Sequence, residues 1–287
     1  MPCLGAHMSA AGGPFQALLA AKSFGMSACQ LFTKNNKQWS APPLSPDSIQ
    51  SFTNTVQETG ISCSISHASY LINLASRDDD LWAKSVAALT DELIRADQLG
   101  LKYVVVHPGT ASDAEEEFAL NRVSAAIDTV LANIPKLKAR LLLETTAGQG
   151  KSVGHTFQQL GRMLSKARKG RNVDICIDTC HIFAAGYALS PRSDYQETMK
   201  EFDGEIGLDR LAMLHVNDSV KGLGSRVDRH AHLGMGAIGL AGLENILSDE
   251  RFSELPKIME TPKGKSPDGP EWDEINLEMM RKLCISN

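Results

Sequence analysis

Histidines and acids recur in this chain at the ends of short apolar runs. His7, His67, His107, Glu144, Asp178 and His215 each lie at the end of such a run or within two residues of it, and Glu260 closes the last one. Two loops add more donors. His181 follows Asp178 by three positions in CIDTCHIFAAGY, and Asp228 and His230 flank Arg229, so in an extended segment both point the same way. One histidine or glutamate after a strand is ordinarily a structural group or a helix cap. Many of them gathered in one place are different, because a buried cluster of acids and imidazoles is unstable without cations to compensate it. The set is His67, His107, Glu144, Asp178, His181, His215, Asp228, His230 and Glu260. Imidazole and carboxylate without thiolate suit zinc, or manganese or iron, in a catalytic rather than a structural site. Nine donors exceed the needs of one ion. With three protein ligands per open zinc and a carboxylate able to bridge, they suit two or three.

Gathering these residues requires a particular scaffold. Eight apolar or β-rich runs occur: CLGAH (3–7), ACQLFT (28–33), ISCSISH (61–67), YVVVH (103–107), LLLE (141–144), VDICID (173–178), LAMLHV (211–216) and KIME (257–260). They lack strict polar alternation, as parallel strands buried on both faces do. Between them lie segments of helical period, such as Trp82, Val86, Leu89, Leu93 and Ala96, with Gly60, Gly100 and Gly170 at the returns to strand. Pro14 after Gly13 and Pro46 after Ser45 place proline at a first helical position. Eight alternations of strand and helix predict an α/β fold of the (β/α)₈ TIM-barrel type. A doubly wound open sheet is the alternative, but it would string the donors along an edge, whereas a barrel opens all C-terminal strand ends on one face.

The 287 residues, 43% hydrophobic and 22% charged, fit one barrel spanning 1–287, since no linker or compositional shift divides the chain. No apolar run approaches the roughly 20 residues that span a bilayer, and the N-terminus lacks the charged start and long apolar run of a signal peptide. No membrane association and a cytoplasmic location are expected. The six cysteines form no CxxC pair and are expected reduced. A formal charge of -5 argues against a protein that coats nucleic acid, but bound cations would neutralise the ligand acids and raise the attraction for phosphate.

The segments GAHMSAAGG, LFTKNNKQW, HASYLINLAS, HPG, ETTAGQG, CIDTCHIFAAGY, HVNDS, GSRVDRHAHLGMGAIG and LPKIMET run almost the whole length of the chain, and in them the sequence resembles the endonuclease IV family of DNA-repair enzymes. CIDTCH and GSRVDRH are the most specific of these signals. The resemblance implies a monomeric enzyme that binds double-stranded DNA and cuts it 5′ to an abasic site, leaving a 3′-hydroxyl and a 5′-deoxyribose phosphate. It implies three zinc ions per chain. One would take His67 and His107, a second Asp178, His215 and Glu260, with Glu144 bridging the two, and the third His181, Asp228 and His230. Glu144 and Glu260 would be the catalytic carboxylates. Lys37, Gln38, Tyr70, Leu71 and Arg229 would contact DNA, the first four propping the opened duplex. Lys34, Lys151, Lys221 and Arg226 are further candidate phosphate contacts. The chain departs from the usual family residues at Lys37, Ala68 and Thr145.

Two other functions fit the donor set. A sugar isomerase or epimerase on a related barrel would use one or two ions and would not need His181, Asp228 and His230. A metal-loaded protein could also bind DNA lesions without cutting them.

Overall fold

The computed structural model describes residues 2–61, 63–267 and 269–285. Eight parallel strands close into a barrel: β1 (Leu4–His7), β2 (Ala28–Leu31), β3 (Cys63–His67), β4 (Tyr103–Val106), β5 (Arg140–Glu144), β6 (Val173–Asp178), β7 (Leu211–His215) and β10 (Lys257–Met259), which pairs back onto β1. Seven of the eight predicted runs hold one of these strands whole, β5 begins one residue before its run, and every strand starts and stops within two residues of its run. Ser62, in the third run, lies outside the described residues. A two-stranded antiparallel ribbon, β8 (Asp218–Ser219) with β9 (His230–Ala231), sits in the loop after β7; the sequence had suggested only an extended segment there. Among the described residues no helix is long and apolar enough to cross a membrane.

Local signals place the outer helices. Ser45 accepts a hydrogen bond from the Ser48 N–H at the start of α2 (Pro46–Thr59), and Asp78 caps α3 (Asp79–Leu99) by accepting from the Leu81 N–H. Gly60 and Gly100 end these helices with φ of 72° and 69°, a region that residues with a Cβ enter at a cost. Gly170 differs. Its φ is ordinary, and glycine is needed there because a Cβ would run into the Leu164 carbonyl.

The core has two layers. Outward-facing Val104, Leu141, Leu143, Ile175 and Ile177 pack against helix residues such as Leu93, Val123 and Leu160. Inside the barrel a separate plug is formed by Ala28, Ile65, Val105, Leu142, Cys176, Met213 and Ile258. Side chains alternate along a strand, so the residue two positions further on faces inward one level higher. Counting two onward from these seven gives Gln30, His67, His107, Glu144, Asp178, His215 and Glu260. On β1 the same step from Gly5 gives His7. The apolar plug is thus the floor beneath the ligand-type residues, and the fold delivers all eight to the C-terminal mouth.

Gly5 completes the floor through a close backbone approach, since a Cβ there would strike the Ala28 carbonyl oxygen and carbon. Gly5→Ala is therefore expected to cost about 1–3 kcal/mol in urea unfolding, from overpacking that the backbone cannot relieve. Gly60→Ala, in open space but at positive φ, should cost roughly 1–2 kcal/mol. Parental stability of Gly5→Ala would show that the two strands do not approach this closely.

Candidate metal centre

Glu144 is fully buried at the end of β5 and stands at the centre of the mouth. Its Oε2 lies 3.1 Å from His67 Nε2 and 2.9 Å from His107 Nε2. Its Oε1 lies 2.8 Å from His215 Nδ1 and 3.4 Å from His181 Nδ1. Each carboxylate oxygen therefore serves a different side of the cluster. Beyond Oε1, His215 Nδ1 is 3.5 Å from Glu260 Oε2 and 4.0 Å from Asp178 Oδ2. Helix α6 (Thr179–Ala185) begins at Asp178, whose Oδ1 accepts from the His181 N–H, and one helical turn thereby aligns the two side chains. His181 Nε2 lies 3.1 Å from Asp228 Oδ2, and His230 Nε2 lies 3.4 Å from Asp228 Oδ1 and 3.5 Å from Asp178 Oδ2.

Ligand atoms thus converge in three places. His67, His107 and Glu144 form one group, and Glu144, Asp178, His215 and Glu260 a second that shares Glu144. The third holds Asp178, His181 and His230, with Asp228 reaching it from the β8–β9 loop; Cys180 also lies beside Asp228 and His230. The backbone fixes which nitrogens face inward. His67 Nδ1 donates to the Ala68 carbonyl, His181 Nδ1 to the Thr145 carbonyl and His230 Nδ1 to the Glu260 carbonyl. Each leaves Nε2 pointing into the cluster. The Nε2 atoms of His181 and His230 are buried without a hydrogen-bond partner among the described residues, although carboxylate oxygens lie near them. A polar atom orphaned in this way requires a partner, and a divalent cation between imidazole and carboxylate supplies one.

Electrostatics point the same way. Burial pushes the Glu144 carboxyl upward, but the charges of His107 and His215 outweigh it and hold it well below the usual range. Glu260 is likewise held low against its burial, by the charge of His215 and by the nearby imidazoles of His7 and His67. Asp228, against its own partial burial, is lowered to about 2 by the neighbouring His181, 3.1 Å away, and by the charges of His230 and His107. The imidazoles respond in the opposite sense. Burial disfavours charge on His215 and His181, yet Cys176, Glu260 and Glu144 raise the first well above its ordinary value, and Asp178, Asp228 and Glu144 raise the second. Without cations, protons on the imidazoles balance the buried carboxylates.

Three polar residues support this cluster that the sequence did not single out. Gln30 is buried between His7, His215 and Glu260. Asn217 donates from Nδ2 to Asp178 Oδ2 (2.7 Å) and accepts at Oδ1 from the Glu260 N–H (2.8 Å). Thr145, noted only as a departure from the family pattern, accepts at Oγ1 from the Asp178 N–H. The available signal was positional: Gln30 lies two residues beyond a barrel-interior alanine.

The predicted DNA-contacting residues ring the mouth. Lys37 and Gln38 are exposed on the loop after β2, and Arg229 is exposed between Asp228 and His230. Tyr70 is 63% exposed despite its aromatic ring, which stands 5.5 Å from that of His67 and 5.6 Å from that of Phe32. With Leu71, His67 and His107 it lines a cavity of about 380 Å³. Lys34 is a correction. It is buried, with Nζ 2.6 Å from Asp91 Oδ2 and 3.6 Å from Glu92 Oε1, so it anchors the loop to α3 and offers no charge to phosphate. His155 donates to the Ser152 carbonyl and His232 stacks on Trp272, both as ordinary polar histidines.

Comparison with known proteins places this geometry. A family model described as the xylose isomerase-like TIM barrel matches residues 18–283. "Probable endonuclease 4" of Chloroflexus aurantiacus is 46% identical over 283 residues, covering 99% of this chain and 98% of the relative. Its namesake in Geotalea daltonii is 43% identical over 280 residues, covering 98% and 97%. The crystal structure of endonuclease IV from Thermus thermophilus superposes with a TM-score of 0.86 at 38% identity, covering 98% of both chains. A D-tagatose 3-epimerase-like protein superposes with a TM-score of 0.73 at 17% identity, covering 97% and 96%; it shares the fold alone.

Because protonated imidazoles balance the acids in the ion-free cluster, a divalent cation such as zinc would have to displace protons to bind. Calorimetric titration of chelator-treated protein at pH 7 should give a heat that varies with the ionisation enthalpy of the buffer. The raised imidazole pKa values also fix the sign with pH: apparent affinity should fall as acid protonates these groups more fully. A heat independent of buffer, with affinity flat between pH 6 and 8, would contradict this balance of charges.

Proposed function

The chain belongs to the endonuclease IV family of xylose isomerase-like TIM barrels and is an endonuclease of DNA repair, and from that premise we propose that it hydrolyses the phosphodiester 5′ to an abasic site using three zinc ions. The products are a 3′-hydroxyl and a 5′-deoxyribose phosphate. The observation that carries this reading is the sharing of Glu144 between two donor groups, with the orphaned nitrogens of His181 and His230 marking a third.

In this reading His67 and His107 would hold one ion, Asp178, His215 and Glu260 a second, and His181, Asp228 and His230 the third, with Glu144 available to both of the first two groups. Zinc in such positions supplies an activated water at neutral pH and charge stabilisation for the phosphate and its leaving oxygen. The chain's own groups do the rest. Glu144 presents Oε2 to the His67 and His107 side and Oε1 to the His215 side, which keeps both halves of the mouth at a fixed spacing. Glu260 is held at Oε1 by Gln30, which leaves Oε2 facing the cluster as an ionised donor oxygen. The floor of Leu142, Met213 and Ile258 closes the barrel to water from below.

Selectivity follows from extrusion. A sugar without a base gives up no pairing or stacking when it leaves the helix, so it enters a mouth that excludes normal nucleotides at lower cost. Tyr70 and Leu71 stand at the rim beside His67 and His107, with Lys37 and Gln38 on the adjoining loop, placed to fill the gap in the stack. Arg229, Arg226, Lys151 and Lys221 are the candidate phosphate contacts. One barrel acting as a monomer in the cytoplasm carries the whole reaction.

The third donor group favours this reading over a sugar isomerase or epimerase, which needs at most two ions. A lesion-binding protein without catalysis would have no use for a buried carboxylate shared between ligand groups.

Glu144→Gln and Asp178→Asn should each slow nicking of a duplex carrying an abasic analogue by more than about a hundredfold with the barrel's circular dichroism unchanged. Parental rates in both variants would overturn the assignment, and a parent that binds abasic DNA without nicking it would support the lesion-binding alternative. Tyr70→Ala should weaken binding to the abasic duplex by about 1–3 kcal/mol while leaving metal content unchanged, as read by titration and metal analysis. Unaltered affinity would remove Tyr70 from the interface.

A further inference from the structure

Seven of the eight barrel strands bring an ionisable residue to the mouth at the inward position above the floor; on β2 that position is held by an amide, Gln30. The exception is fully buried and fully engaged. Its Oε1 lies 2.8 Å from His215 Nε2, its Nε2 lies 2.5 Å from Glu260 Oε1, and the same nitrogen lies 3.0 Å from His7 Nδ1.

The chemistry of the neighbours fixes which way the amide faces. An ionised carboxylate only accepts, so the end of Gln30 beside Glu260 must be the NH₂ group. The carbonyl then faces His215 Nε2 and can be satisfied only if that nitrogen carries a proton. Turned round, the amide would set two acceptor oxygens against each other at 2.5 Å and force the His215 proton onto Nδ1, the atom that faces Glu144, Glu260 and Asp178. The second N–H of the amide goes to His7 Nδ1, which ties β1 into the same chain of bonds.

We infer that Gln30 is a positioning residue that holds His215 with its proton on Nε2 and its Nδ1 lone pair toward the donor group of Glu144, Asp178 and Glu260, and that aims Glu260 Oε2 at the same place. This inference rests on the metal-centre reading above. Gln30 touches no ion itself. It acts on two ligands of the one group that contains Glu144, Asp178, His215 and Glu260, and on none of the ligands of the third group.

The test is zinc binding by Gln30→Met, which keeps volume and removes both polar ends. Competition with a chromophoric chelator should show one of the bound zinc ions weakened by about 10- to 100-fold, the range for losing a partner of a metal-bound histidine. The other ions should bind as in the parent, and the cobalt-substituted protein should show an altered visible spectrum for one site only. Parental affinity for every ion in a folded Gln30→Met chain would overturn the inference. Histidine ¹⁵N resonances of the zinc-loaded parent give a second measurement that needs no variant. Protonation of His215 at Nε2 with Nδ1 on the metal is expected, and the opposite tautomer would refute the assignment even if Gln30→Met fails to fold. A parent that takes up no zinc would be a failure of the metal-centre reading itself.

Discussion

A carboxylate removed from water inside a protein is stable only if positive charge surrounds it, and this constraint shapes the mouth of the barrel. Glu144, fully buried, has imidazole nitrogens from four histidines within 3.4 Å of its two oxygens. Asp178 is equally buried, and Glu260 and Asp228 complete a concentration of acid that the apolar floor cannot neutralise. Protons on His181 and His215 can balance it, and divalent cations can balance it better, because they also satisfy nitrogens left without hydrogen bonds. The same concentration of acid that costs stability is what can hold the cations that an anionic phosphodiester needs.

The barrel meets the constraint through period-two geometry. Seven strands carry an inward apolar residue and β1 carries Gly5, and two positions later each brings an inward polar one, so a single alternation sets both the core and the site. Backbone carbonyls and buried amides then orient the donors. Ala68, Thr145 and Glu260 each accept from a histidine Nδ1, while Gln30 and Asn217 hold the carboxylates and His215. Removal of these partners would leave the ligands present but free to turn, which is why the residues around the site count for nearly as much as those in it.

Much of this was legible in the sequence because strand runs and ligand types coincide. The eight apolar runs coincide with the barrel strands to within two residues, and six of the nine donors converge because they lie at the ends of those runs. Asp228 and His230 were read as facing one way in an extended segment, and both do reach His181 or Asp178, although only His230 belongs to the short ribbon. Gln30 was missed because an amide in an apolar run resembles a tolerated polar residue until the two-residue step from the floor is counted. Lys34 was misjudged for a complementary reason: a lysine in a loop looks solvated, and the carboxylates that bury it, Asp91 and Glu92, lie nearly sixty positions away on α3. Contacts between distant segments leave no local trace, whereas periodicity does.

Anomalous scattering at the zinc edge from crystals of the metal-loaded chain tests the central claim most directly, because it locates ions independently of activity. The account predicts three peaks: one beside His67 and His107, one among Asp178, His215 and Glu260, and one among His181, Asp228 and His230, with Glu144 bridging the first two. A single peak, or several that leave Glu144 without an ion on either oxygen, would contradict it.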